Sequence, residues 1–178
     1  SIFRDVFDLR VHKKVLSYLS LSPHSKGYMI LSFSIVSIVE SVIFGLVSII
    51  LFSALIPYPF GFIKTVGFIF YFSIYIFLLS NVFITIAILS DKLSTILISL
   101  FAFILFLLFG SGLIISPSFY PSSLKNLLSV LPLAMAIKAM QSYLFSGFIN
   151  WIYTVIPFLT SLLLLSLNSI LIRKKLRQ

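Results

Sequence analysis

Residues 28–56 read YMILSFSIVSIVESVIFGLVSIILFSALI, a run of 29 residues with one charged side chain, Glu40. A helix of that length rises about 43 Å, and the hydrocarbon core of a bilayer is about 30 Å thick. The run is therefore long enough to cross with tilt or with its ends among the headgroups. Hydrocarbon offers no water to backbone N–H and C=O groups, so the crossing conformation is a helix. A β-barrel strand would alternate in polarity over about ten residues, and this run does not.

Three more stretches share this character, at 62–89, 93–115 and 148–172. Across all four, the charged side chains are Glu40 and Lys64. The whole chain of 178 residues is 60% hydrophobic and 10% charged, where a soluble domain carries about a quarter charged residues. A soluble core of this size could not cover so much apolar surface. The expected fold is all-α: a polytopic helical membrane protein with four transmembrane helices. An N-terminal interfacial helix and two short re-entrant-like helices complete it. There is no cysteine, which excludes disulfides and thiolate metal sites. The chain starts at Ser1, with no short signal-type segment ahead of the first run, and reads as a piece of a longer or processed protein.

The net charge of +9 raises the question of nucleic acid, and its distribution answers against it. Arg4, Arg10, Lys13, Lys14 and Lys26 precede the first run, and Lys92 lies between the second and third. Arg173, Lys174, Lys175 and Arg177 follow the fourth, while Lys64, Lys125 and Lys138 fall on the opposite side. The positive-inside rule then predicts a multi-pass protein of the cell membrane with both termini cytoplasmic. The basic ends also attract anionic membrane lipid.

Residues 1–27 are expected to form a cytoplasmic interfacial segment and 28–178 the transmembrane domain. In the first, Phe3, Val6, Phe7, Val11, Val15 and Leu19 recur at helical spacing against a charged opposite face. That pattern suits a helix at 2–21 lying along the membrane surface or docked on a partner. Ser22-Pro23-His24-Ser25 breaks it. Residues 57–61 make a short uncharged turn, and 90–92 a shorter return in which Asp91 is placed to cap the third helix. Between 116 and 147, Pro117, Pro121 and Pro132 divide two short apolar stripes, predicted to dip into the membrane and return. Tyr143, Trp151 and Tyr153 are expected as an outer aromatic belt.

Chemistry-bearing residues are few. His12 and His24 have no Cys or paired carboxylates near them, and Asp5, Asp8 and Asp91 lie outside the apolar runs. No glycine pattern cradles phosphate. No enzyme activity, cofactor or metal is expected of this chain. Glu40 is the sharpest residue, because an intramembrane carboxylate is costly and serves either a transport path or an interhelical bond. Ser34, Ser37, Ser41, Gly45 and Ser48 form a small-residue stripe beside it, which predicts close helix packing with Glu40 towards protein. Asn81 is expected to bond across helices, in a path or in packing.

The order of elements resembles the membrane subunit of type-2 ABC exporters. Val15-Leu16-Ser17-Tyr18-Leu19-Ser20-Leu21-Ser22-Pro23 is similar to that family's Thr-Leu-x-x-Leu-x-x-x-Pro segment. Gly110-Ser111-Gly112 with Pro117 and Pro121 is similar to its Ser-Gly-then-Pro pattern. Residues 131–140, from Leu131-Pro132-Leu133 to Ala139-Met140, are similar to its Asn-Pro-Leu-Thr-Tyr-Ala-x-x-Ala-Leu. Leu131 replaces Asn, Lys138 stands at a commonly acidic position, and the family's first span has no counterpart. The resemblance implies a permease subunit without its own ATPase. Its partners would be an ABC ATPase subunit and a second permease half, in a homo- or heterodimer. Ser22, Pro23, His24, Ser25 and Lys26 would help contact the ATPase. The alternative is a fragment of a proton-coupled secondary transporter using Glu40.

Overall fold

The computed structural model describes residues 26–55, 61–90, 93–111, 114–115 and 119–176, and all regular structure among them is helical. In order these are α1 (Lys26–Leu55), α2 (Phe62–Leu89), α3 (Leu93–Gly110), α4 (Ser122–Val130), α5 (Pro132–Ser146) and α6 (Trp151–Leu176). The expected interfacial helix at 2–21 lies outside the described residues. So do Ser22, Pro23, His24, Ser25, Asp91, Lys92 and Pro117, and the turn at 57–60. Lys26 is the first residue of α1.

The helix boundaries follow local chemistry. Pro132 opens α5 at its first turn, where its missing N–H costs nothing. Gly147 ends α5 at φ 68°, a left-handed conformation that glycine adopts without a side-chain penalty, and its N–H bonds the Tyr143 carbonyl at 3.1 Å. Asn150 caps α6: its Oδ1 accepts from the N–H groups of Ile152 and Tyr153 at 3.2 and 3.3 Å. Pro157 lies inside α6 and cannot donate to the Tyr153 carbonyl. Many hydroxyls along the apolar helices bond their own preceding turn, as Ser73 on Ile69 O at 2.7 Å and Ser161 on Pro157 O at 2.9 Å.

Three stretches are long and apolar enough to cross a membrane: Gly27–Ile50, Phe62–Leu89 and Trp151–Lys174. The molecule is thus a helical multi-pass membrane protein with three or four candidate spans. The third expected span differs from the reading at 93–115. As a helix it stops at Gly110, so its 18 residues rise about 27 Å. Beyond it Ser111 turns its hydroxyl back on the Leu107 carbonyl, and Ile114 N–H bonds the Leu108 carbonyl at 3.2 Å. The two short helices expected between 116 and 147 are α4 and α5, bent by 85° at Leu131.

α2 is the centre of the bundle, packed against α1, α3, α5 and α6. Its buried face runs through Tyr71, Ile74, Tyr75, Leu78, Asn81, Ile84 and Ile88. Contacts along it fix the helix directions. Phe77 pairs with Phe158 (ring centroids 6.3 Å), and Thr85 bonds Asn168, so α6 runs parallel to α2. Ile30 packs with Ile84 and Ile88 while Gly45 lies beside Phe72, so α1 runs against it. α5 is also antiparallel: Leu133 and Ile137 join Tyr75 and Leu78, and Tyr143 reaches Tyr71 (5.3 Å) and the Ile63 carbonyl (3.2 Å).

Leu107, from the last turn of α3, belongs to the same cluster as Leu133 at the start of α5. That cluster sits on Tyr75 and Leu78, the fourteenth and seventeenth of α2's 28 residues. α3 therefore ends, and α5 begins, at half the length of α2. At the far end of α5, a Cβ on Gly67 would overlap the Tyr143 ring. Gly67→Ala should displace that ring from its bond to Ile63 and its contact with Tyr71, costing about 1–3 kcal/mol by overpacking. In a Tyr143→Ala background the same change should cost much less. Thermal unfolding in detergent of the two singles and the double measures this. Additive losses would show that Gly67 does not set the approach of α5.

Candidate functional site: a buried amide pair between the long helices

Asn81 and Asn168 are both fully enclosed, at 0% exposure, in the contact between α2 and α6. Each lies in an uncharged and largely apolar stretch of helix. An amide there must find partners within protein, because lipid supplies none. Asn81 Nδ2 donates to the Phe77 carbonyl of its own helix at 2.8 Å. Asn168 Nδ2 donates across to the Asn81 backbone carbonyl at 3.0 Å. The Thr85 hydroxyl lies 2.8 Å from Asn168 Oδ1 and 2.8 Å from the Asn81 carbonyl, so its single proton serves one or is shared. The opposite orientation of the Asn168 amide would set its Oδ1 against a carbonyl oxygen. The bonding pattern therefore fixes the orientation drawn here.

The expected interhelical bond of Asn81 exists, but Asn168 makes it, to the Asn81 backbone. Asn168 and Thr85 were not among the residues the sequence reading singled out. The available signal was a second amide within an apolar span, since such groups seek one another in lipid. Among the described residues, two enclosed oxygens have no hydrogen-bond partner, Asn81 Oδ1 on α2 and Ser34 Oγ on α1. Ser34 follows Ile30 by one turn, and Ile30 packs at Ile84 and Ile88, which brings Ser34 to the level of Asn81 and Thr85. The bonded seam itself joins α2 and α6.

Glu40 is elsewhere. It lies on the exposed side of α1, as do Val36, Val39, Ile43 and Phe44. The small-residue stripe turns gradually out of the bundle, from enclosed Ser34 through half-buried Ser37, Ser41 and Gly45 to exposed Ser48. The expectation that Glu40 faces protein is not met within the described chain. The reason is angular: Glu40 is six residues from Ser34, which places it about 240° around the helix. The structure does not bring Glu40 and Asn81 together. Among the residues expected to contact an ATPase, Lys26 begins α1 and the other four lie outside the described residues.

At the Phe62 end of the bundle, Lys64 Nζ reaches the Leu144 carbonyl at 3.4 Å; nearer its middle, Lys138 Nζ stands 5.9 Å from the centre of the Tyr153 ring. Trp151 is exposed and Tyr143 and Tyr153 are half-buried. No group of His, Cys, Asp and Glu that could hold a metal occurs among the described residues. The arrangement at the seam can hold α2 and α6 in one register. It contains no nucleophile–base pair.

Thr85→Val and Asn168→Leu, combined in a double-mutant cycle, should show a coupling of about 0.6–1.7 kcal/mol, the range of interhelical hydrogen bonds in membranes. Reversible unfolding in mixed lipid–detergent micelles gives the four free energies. A coupling of zero would mean that the bond between the two side chains adds nothing to the bundle. No protein-family model matches the chain, and no curated protein or solved structure matches it.

Proposed function

We propose that this chain is the membrane subunit of an ATP-driven exporter. It would form a transport path with a second permease half and take its energy from a separate ABC ATPase. What supports this is one feature: a sharply bent pair of short helices, α4 and α5, seated between a third apolar helix and a long final helix with a basic end. That order is the one the sequence resemblance implies.

The helix directions support four crossings. α2 and α6 run the same way, so the chain returns through the membrane once between them. α3 and the bent pair cannot both be full crossings, since α6 would then run against α2. α5 spans only the half of α2 between Leu78 and Ile63 and α3 ends where α5 begins, which favours α3 and α5 as the two halves of one crossing with α4 lying across the break. Basic residues at both ends of the chain then fall on one side, the cytoplasmic side by the positive-inside rule. In this reading residues 22–26 meet the ATPase, and ATP-driven closure of two ATPase subunits shifts α1 with them. Differential stability of the two states drives transport.

A proton-coupled transporter is the competing reading. Proton relays use chains of Asp, Glu and His. Among the described residues Glu40 is the one acidic side chain, and it stands apart from the buried amides. That separation favours the exporter. Purified from its native membrane, the protein should retain a nucleotide-binding subunit, and Pro23→Ala with His24→Ala should weaken the association. Transport should persist at more than about half its rate in Glu40→Gln, because no proton is coupled through that carboxylate. Absence of any nucleotide-binding partner, together with loss of transport in Glu40→Gln, would replace this reading with the proton-coupled one.

A further inference from the structure

α4 presents a geometric problem that the rest of the bundle does not. Its bend of 85° from α5, and the antiparallel run of α5 along α2, set α4 across the bundle axis at the level of Tyr75 and Leu78. α2 extends about 20 Å to either side of that level. Exposed apolar side chains continue both ways. Ile35 and Val36 on α1 and Leu163 and Leu167 on α6 lie on one side, and Val47, Val66 and Phe70 on the other. α4 is therefore not at a water boundary of the bundle but at its middle.

Its sequence does not suit hydrocarbon on all sides. Ser122, Lys125, Asn126 and Ser129 recur at three, four and seven residues and share one face. Leu124, Leu127, Leu128 and Leu131 share the other, where Leu128 is buried. Ser122, Lys125 and Asn126 are exposed. A helix that is apolar on one face and cationic on the other, lying crosswise, has the pattern of an interfacial helix. The interface it needs must reach the middle of the bundle. α3 fills the half of this sector towards Leu89 and stops at this level, while the half towards Phe62 is lined by α5.

We infer that α4 forms the floor of a water-filled vestibule that opens at the Phe62 end and descends to the middle of α2, where Lys125 makes it selective for anions. Water at the polar face relieves the cost of holding a lysine at that depth. An ammonium on a wall of low dielectric raises the local concentration of anions and lowers that of cations. The inference requires only that the chain lies in a bilayer, so it stands or falls apart from the exporter reading.

The chain has no cysteine, so a single introduced thiol reports its own surroundings. Only the thiolate reacts with thiosulfonates, and apolar surroundings suppress it. Asn126→Cys and Ser122→Cys, in sealed membrane vesicles, should react with a charged, membrane-impermeant thiosulfonate. Their rates should come within about tenfold of Ser146→Cys at the end of α5, and from the same side. Val36→Cys on the apolar face of α1 should be slower by about 100-fold or more. At Asn126→Cys a sulfonate-bearing reagent should outpace a trimethylammonium-bearing one, and adding Lys125→Gln should remove the difference. If both α4 thiols react as slowly as Val36→Cys, or only from the opposite side, the vestibule is overturned. If they react quickly without charge preference, the anion selectivity is overturned.

Discussion

Lipid supplies no hydrophobic force between helices, so a membrane bundle is held by close packing and by polar groups that can be satisfied only by one another. In this chain both fall on α2. α1, α3, α5 and α6 each pack against it. Gly67 admits the Tyr143 ring at one end, and Asn81 and Thr85 engage Asn168 of α6 further along. α1, α2 and α6 form one unit through Ile30, Ile84 and Ile88 with Leu165 and Leu171 around them. Everything else is arranged by where it can lean on α2.

What was legible in the sequence follows from this. Continuous apolar runs identify helices because hydrocarbon permits little else, and the starts of α2 and α3 and both short helices were readable within a few residues. Gly110 and Ser111 lie inside the apolar run at 93–115, so the end of α3 was not readable there. The central role of α2 was not readable at all. α1 and α2 are equally apolar on average, yet α2 buries half of its most apolar window and α1 almost none. A helix that is apolar around its whole circumference carries no stripe to say which side faces protein. The exposed position of Glu40 was missed for the same reason. Asn168 was missed because an amide near the end of a span reads as a boundary residue until its partner is placed beside it.

The meeting of α3 and α5 at Tyr75 and Leu78 divides the molecule into parts of different stiffness. The three long helices are tied together by the cluster at Ile30, Ile84 and Ile88, and α2 and α6 also by the amide seam. α3 touches the rest chiefly through α2, with Phe103 edge-on to Phe83 at 5.7 Å and Leu107 in the shared cluster. α4 is joined chiefly to α5. A load applied near Lys26 would therefore reach α2 and α6 together, and it would reach α3 and α5 through a single cluster of apolar side chains. Apolar contacts have no directional bonds to break, so such a cluster can slide where the amide seam cannot.

Three polar groups near mid-bundle show three solutions to the same constraint. The amides of Asn81 and Asn168 turn inward and bond protein. Hydroxyls such as Ser161 bond the preceding turn of their own helix, which leaves them free of any neighbour. Lys125 does neither: it is exposed, on a short helix with one buried residue, Leu128. For it the inferred vestibule supplies water as the third solution. That asymmetry ties the break in the third crossing to the chemistry of the short helix beside it: a continuous third span would leave no room above α3 for water, and α4 would then have no reason to be polar.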